Sequence, residues 1–143
     1  MLLVIVVAAL LGWAGPRPSV AAAEAAGYSL EVSHPSVSRP GLAIRLSIVV
    51  SREAGFDQPV RLIVSREYIE ALDFNALYPD ASAQIADDGY VIWEFDPPRG
   101  DSLTVDFDGR HEPGAEGVIQ GDLAVLDQGQ RVVEVEFSTL VLP

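Results

Sequence analysis

The 143-residue chain contains no cysteine and no lysine. Without cysteine it has no disulfides, no thiolate metal ligands and no cysteine nucleophile. That lack does not assign a compartment, because domains of the bacterial envelope also fold without bridges. All nine basic residues are arginine, set against 21 acidic ones, for a formal net charge of −12. So acidic a surface repels phosphate backbones and anionic headgroups, which removes nucleic acid as an expected partner. The charge serves solubility, or, on a sharper reading, gathers cations or a basic partner. Reactive-site signatures are missing too. There is no G-x-S-x-G elbow, no phosphate-cradling glycine loop, no dinucleotide-binding pattern and no D-x-D-x-D-G calcium loop. Nor are there helical stretches of the length that parallel-sheet units need between strands.

One long apolar run is present. Residues 1–16, MLLVIVVAALLGWAGP, carry no charge. Residues 1–15 read as a hydrophobic helix, and at ~1.5 Å per residue they cover roughly 22 Å, less than the ~30 Å hydrocarbon core. A signal peptide fits that length, and Ala21-Ala22-Ala23 before Glu24 has the small-residue pattern of a cleavage site. No basic residue precedes the run, however, so nothing orients it by the positive-inside rule. A start further upstream would make it the outer part of a spanning helix, with Trp13 near the interface. Export or membrane anchoring is expected either way. Residues 16–27, rich in proline and alanine, read as a flexible linker.

The remaining ~115 residues suffice for a core of their own, burying about two-thirds of the extended-chain surface. They alternate with period two. Tyr28, Leu30 and Val32 open a strand, and the stretch 42–51 sends Leu42, Ile44, Leu46, Ile48 and Val50 to one face. A third strand covers 60–65. Residues 66–79 fit a single helical turn before Asp73 or a short strand through Phe74 and Leu77, and 81–86 read as a weak edge strand. The centre of the chain is GYVIWEFDPPRGDSLTVDFD, 89–108. Val91, Trp93 and Phe95 face one way and Leu103, Val105 and Phe107 answer them, while DPPRGD makes the chain reverse or cross over. Trp93 is the expected core marker, with Phe95 and Phe107 as its neighbours. After the loop 109–117, the strand 118–126, a turn at Asp127-Gln128-Gly129 and a last strand close the domain. That last strand places Val133, Val135, Phe137, Thr139 and Val141 inward. The expected fold is all-β: an antiparallel sandwich of 7–9 strands over 28–143, preceded by the hydrophobic helix, with a small closed barrel as alternative.

Pro40-Gly41 before an apolar strand, Trp93, the loop from Pro98 to Gly100 and the strand Leu103, Val105, Phe107 together resemble the immunoglobulin-like repeats of bacterial and archaeal surface proteins. Those include conserved-repeat domains of unknown function and their adhesion-type and alpha-galactosidase-associated relatives. The resemblance covers about residues 28–142 and rests on fold markers. It implies an extracytoplasmic, non-catalytic sandwich and carries over no catalytic residue.

Few residues offer chemistry. His34 and His111 both lie beside prolines and read as solvated loop residues. His111 with Glu112 or Asp108 is the only base–acid pair a secreted hydrolase would have. Asp106 and Asp108 recur at i, i+2, as do Glu134 and Glu136. Were their strands neighbours, four carboxylates would present hard oxygen ligands suited to Ca²⁺. Ordinary polar alternation on a solvated face is the favoured reading of them. Asp87, Asp88, Asp96 and Asp101 are the loop version of that idea. Arg99-Gly100-Asp101 spells an adhesion tripeptide, though each residue also suits a turn. Among the loops 52–58, 66–80 and 109–117, the second holds Tyr68, Phe74 and Tyr78, an expected contact patch unless they form a satellite core. The sequence thus points to a non-catalytic envelope module, exported or tethered by its leader, that serves interaction with another envelope protein or a structural role there, without a cofactor. A calcium- or ligand-binding sandwich and a secreted hydrolase are the alternatives.

Overall fold

The computed structural model describes residues 18–87, 89–111, 114 and 116–142, with only the backbone of Pro18, of residues 73–76 and of His111. The hydrophobic segment 1–15 lies outside the described residues, as do Asp88 and Glu112. Among the described residues, eleven strands and one short helix follow in order: β1 (Pro18–Ala25), β2 (Tyr28–Pro35), β3 (Val37–Ser38), β4 (Ala43–Arg52), β5 (Val60–Ser65), α1 (Arg66–Glu70), β6 (Leu72–Tyr78), β7 (Ala83–Asp87), β8 (Tyr90–Phe95), β9 (Ser102–His111), β10 (Gly117–Asp127) and β11 (Gln130–Val141). They form two sheets, one ordered β1-β2-β4-β9-β6 and the other β3-β11-β10-β5-β8-β7. All described pairings are antiparallel except β3 with β11. The protein is therefore an all-β, two-sheet sandwich.

Period-two alternation decides which face is buried. In β11 the inward set Val133, Val135, Phe137, Thr139 and Val141 is buried and the residues between are not. β8 buries Val91, Trp93 and Phe95, and β9 buries Leu103, Val105 and Phe107. These two strands are not paired with each other. DPPRGD carries the chain from one sheet to the other, so the two apolar sets meet across the core rather than side by side. Trp93, 2% exposed, stacks on Phe107 with centroids 5.8 Å apart and planes inclined by 27°.

The strand count exceeds the expected 7–9 for identifiable reasons. Residues 18–25, expected within a flexible linker, form β1 and pair along their whole length with β2. Ala21 and Ala23 pack on the core despite their small size. Residues 66–79 supply both candidate structures in succession, α1 and then β6.

The helix turns Tyr68 inward, where its ring meets Phe137 edge-on at 4.9 Å. Gly121 makes room for this pair, since a Cβ there would lie 2.8 Å from the Phe137 ring and 3.1 Å from Tyr68. The Thr139 hydroxyl donates to the Pro35 carbonyl at 2.6 Å. Its single proton thus committed, it accepts from the Tyr68 hydroxyl at 2.8 Å. This chain of hydrogen bonds satisfies polar groups inside the core that would be costly to leave unpaired.

Candidate functional site

Antiparallel pairing places four connections at one end of the sandwich: 26–27, 53–59, 96–101 and 128–129. Two are tight turns with positive φ at both central residues, Ala26 and Gly27 at +54° and +82°, Gln128 and Gly129 at +53° and +76°. Such turns match the right-handed twist of the strands they join. The longer loops are tied together, because the Arg52 amide at the end of β4 donates to the Asp101 carbonyl at 2.8 Å.

Between two of these connections, 53–59 and 128–129, lies a cleft of about 250 Å³, lined by Tyr28, Arg52, Phe56, Asp57, Arg61 and Asp127 among others. Tyr28 forms its floor. The first residue of β2, it is 8% exposed, and its hydroxyl donates to Asp127 Oδ2 at 3.1 Å. Burial first, then the bond to Asp127 and that carboxylate's charge, push the phenol above its ordinary pKa of 10.0. It therefore remains a neutral donor at physiological pH rather than a nucleophile. Above the ring stands the Arg52 guanidinium, 5.2 Å from the centroid, and it also reaches Asp57 at 3.8 Å. Phe56 completes the wall, 6.4 Å from Tyr28 and tilted by 50°. A second hollow, about 460 Å³, shares Arg52, Phe56 and Asp57 and extends to Glu53, Arg99 and Asp101. The exposed Arg99-Gly100-Asp101 tripeptide thus forms the rim of this end. A cationic plane, an aromatic face and two carboxylates, of which Asp127 is held by Tyr28, in one open cleft suit recognition of a polar partner bearing an apolar anchor.

Of the expected contact patch, Tyr68 is in the core at 1% exposure, directed there by α1. Tyr78 is 77% exposed on edge strand β6, and the side chain of Phe74 lies outside the described residues. Tyr68 and Tyr78 therefore share no surface. The four carboxylates also separate. Asp106 and Asp108 stand on the outer face of β9 and Glu134 and Glu136 on that of β11, strands of opposite sheets whose outer faces point apart. Asp108 instead pairs with Arg45 at 2.9 Å and Glu134 with Arg131 at 3.5 Å. Among the described residues, no group of three or more histidine or acidic side chains could hold a metal ion.

His34 is not a solvated loop residue. It ends up in β2, 6% exposed, its ring 5.1 Å from that of Phe137, and burial lowers its pKa. The His111 side chain and Glu112 lie outside the described residues.

The cleft residues escaped the sequence reading apart from the loop 52–58. Tyr28 and Asp127 are 99 positions apart, and no local pattern joins them.

No protein-family model matches the chain, and no curated protein matches it. Among solved structures it is similar to a DUF4466 family protein from Parabacteroides merdae, at 13% identity and a TM-score of 0.48. The likeness covers 81% of this chain and 46% of that one, so the chain spans less than half the length of that relative. It is also similar to AvmM, which catalyzes macrocyclization in alchivemycin A biosynthesis, at 12% identity and a TM-score of 0.43, covering 81% of this chain and 88% of AvmM. Similarity of this size says nothing about chemistry.

Proposed function

We propose that the protein is a non-catalytic, extracytoplasmic immunoglobulin-like module of the cell envelope, exported or tethered through residues 1–15, that binds another envelope protein through the cleft end. The observation that carries this reading is a cleft between two connections, 53–59 and 128–129, that displays Arg52 and Phe56 at the end of the sandwich where 26–27 and 96–101 also lie. Loops held by a rigid double sheet are where binding chemistry concentrates. An aromatic and an arginine at the centre of such a surface are the residue types that dominate interface energies.

Strand order supports the immunoglobulin-like reading. β2-β4-β9-β6 lie as the A-B-E-D strands of that fold do, and β11-β10-β5-β8-β7 as G-F-C followed by two further strands. The connectivity differs in two respects: the strand in the D position, β6, precedes the β7–β8 pair in the chain, and the outer β7 precedes β8, the strand beside β5. The uncharged apolar run ahead of the domain supports export or tethering.

The test is affinity capture from envelope extract with the full chain and with Phe56→Ala and Arg52→Glu variants. A partner held by the wild type and weakened at least tenfold by both changes bears out the reading. A partner held equally by all three proteins overturns it.

A further inference from the structure

The apolar leader joins the domain at the end opposite the cleft. Pro18, where β1 begins, pairs with Pro35, and Val37 stands two residues beyond Pro35. The parallel pairing of β3 sets Val37 beside Leu140, and on the other side of Leu140 stands Val118 of β10. Residues paired in register share a face of the sheet. Their neighbours Ser38, Thr139, Val141 and Ile119 point into the core, so Val37, Leu140 and Val118 line up on the outer face. They are 52%, 40% and 63% exposed, and Leu42, 55% exposed, precedes β4 at the same end. Single exposed aliphatics need no explanation, but a contiguous row of them beside an apolar tail does.

The occupant follows from where that tail attaches. Strands β1 and β2 lie only ~4.8 Å apart, so the point at which residues 1–17 enter is close to the row. Arg39, exposed in the turn that follows Val37, adds a cation able to meet a phosphate group.

We propose that Val37, Val118 and Leu140 rest in the headgroup–acyl boundary of the bilayer that holds residues 1–15. The domain then stands with this end on the membrane and its cleft facing outward. Strands of 8–12 residues at ~3.3 Å each set the cleft roughly 26–40 Å above the lipid. Zwitterionic headgroups are the fitting surface, because a chain of net charge −12 is repelled by anionic ones. The inference rests on the tethered reading above, and its test separates the two.

The absence of cysteine makes that test direct. A single Val118→Cys or Ala54→Cys substitution in the full chain carries an environment-sensitive fluorophore, and the protein is mixed with phosphatidylcholine vesicles with or without nitroxide lipids. The proposal expects the chain to float with the vesicles. The V118C label should shift to the blue and be quenched by the nitroxides, while the A54C label keeps its aqueous emission. A chain that does not float overturns tether and orientation together. A floating chain whose V118C label stays aqueous overturns the orientation alone. So does a V118C label shielded from water but untouched by lipid nitroxides, since the leader or a second copy would then cover the row.

Discussion

Trp93 and His34 show what a strand position can and cannot disclose. The indole falls on an inward position of an unambiguous alternation, whereas its stacking on Phe107 across the core depends also on β8 and β9 lying in opposite sheets. Trp93→Ala should cost about 3–5 kcal/mol in denaturant unfolding, the range for deleting a buried aromatic, and a change near zero would place the ring outside the core. His34 was obscured by the proline after it, which suggests a loop, whereas β2 continues to Pro35 and buries the imidazole against Phe137. Burial lowers its folded pKa below 6.5, so the unfolded chain binds a proton at a pH where the folded chain does not. Its stabilising share is complete above pH 6.5 and is lost as pH falls from 6.5 through the lower folded value. Urea unfolding of wild type and His34→Gln between pH 7.5 and 5.5 should show the wild type losing more stability, and parallel losses would mean the folded ring takes up its proton as readily as the unfolded one. Tyr28 presents the opposite case. Its inward direction was legible, its role at the cleft was not, because Arg52, Phe56 and Asp127 reach it only through tertiary packing.

Among the elements, long strands with clean alternation were readable to within a residue or two. β5 runs over 60–65 as the pattern indicates, and β4 and β11 differ from it only at their ends. What failed was alanine. PSVAAAEA lacks the branched and aromatic side chains that mark strands, and it becomes β1 because the backbone of β2 offers an edge to pair with. Propensity was overridden by tertiary pairing, and the supposed linker is part of the sheet. The consequence is measurable. A chain starting at residue 18 should melt at a higher temperature than one starting at residue 27, which strips β1 from β2 and uncovers core beneath Ala21 and Ala23. Equal melting temperatures would show that β1 contributes nothing to the fold. The carboxylates misled for a related reason. Spacing put Asp106 with Asp108 and Glu134 with Glu136, but only sheet order could tell that the two pairs lie on opposite outer faces.

At the scale of the whole molecule, the sandwich has two unlike ends. One holds the connections near Tyr28, Arg52 and Phe56, and the other is where β1 begins, beside an exposed aliphatic row. Fold class was legible because period-two alternation runs through nearly the whole domain. The division of strands between sheets was not, since a proline-rich crossing and a hairpin leave similar traces in a sequence. The proposed binding face depends entirely on that division. Its most direct test is photo-crosslinking in intact envelopes, with a benzophenone side chain placed at Gln58, on the cleft loop, or at Thr104, on the outer face of β9, both exposed. Adducts to one protein from position 58 and none from 104 are the predicted result; adducts from 104 with none from 58 would contradict it.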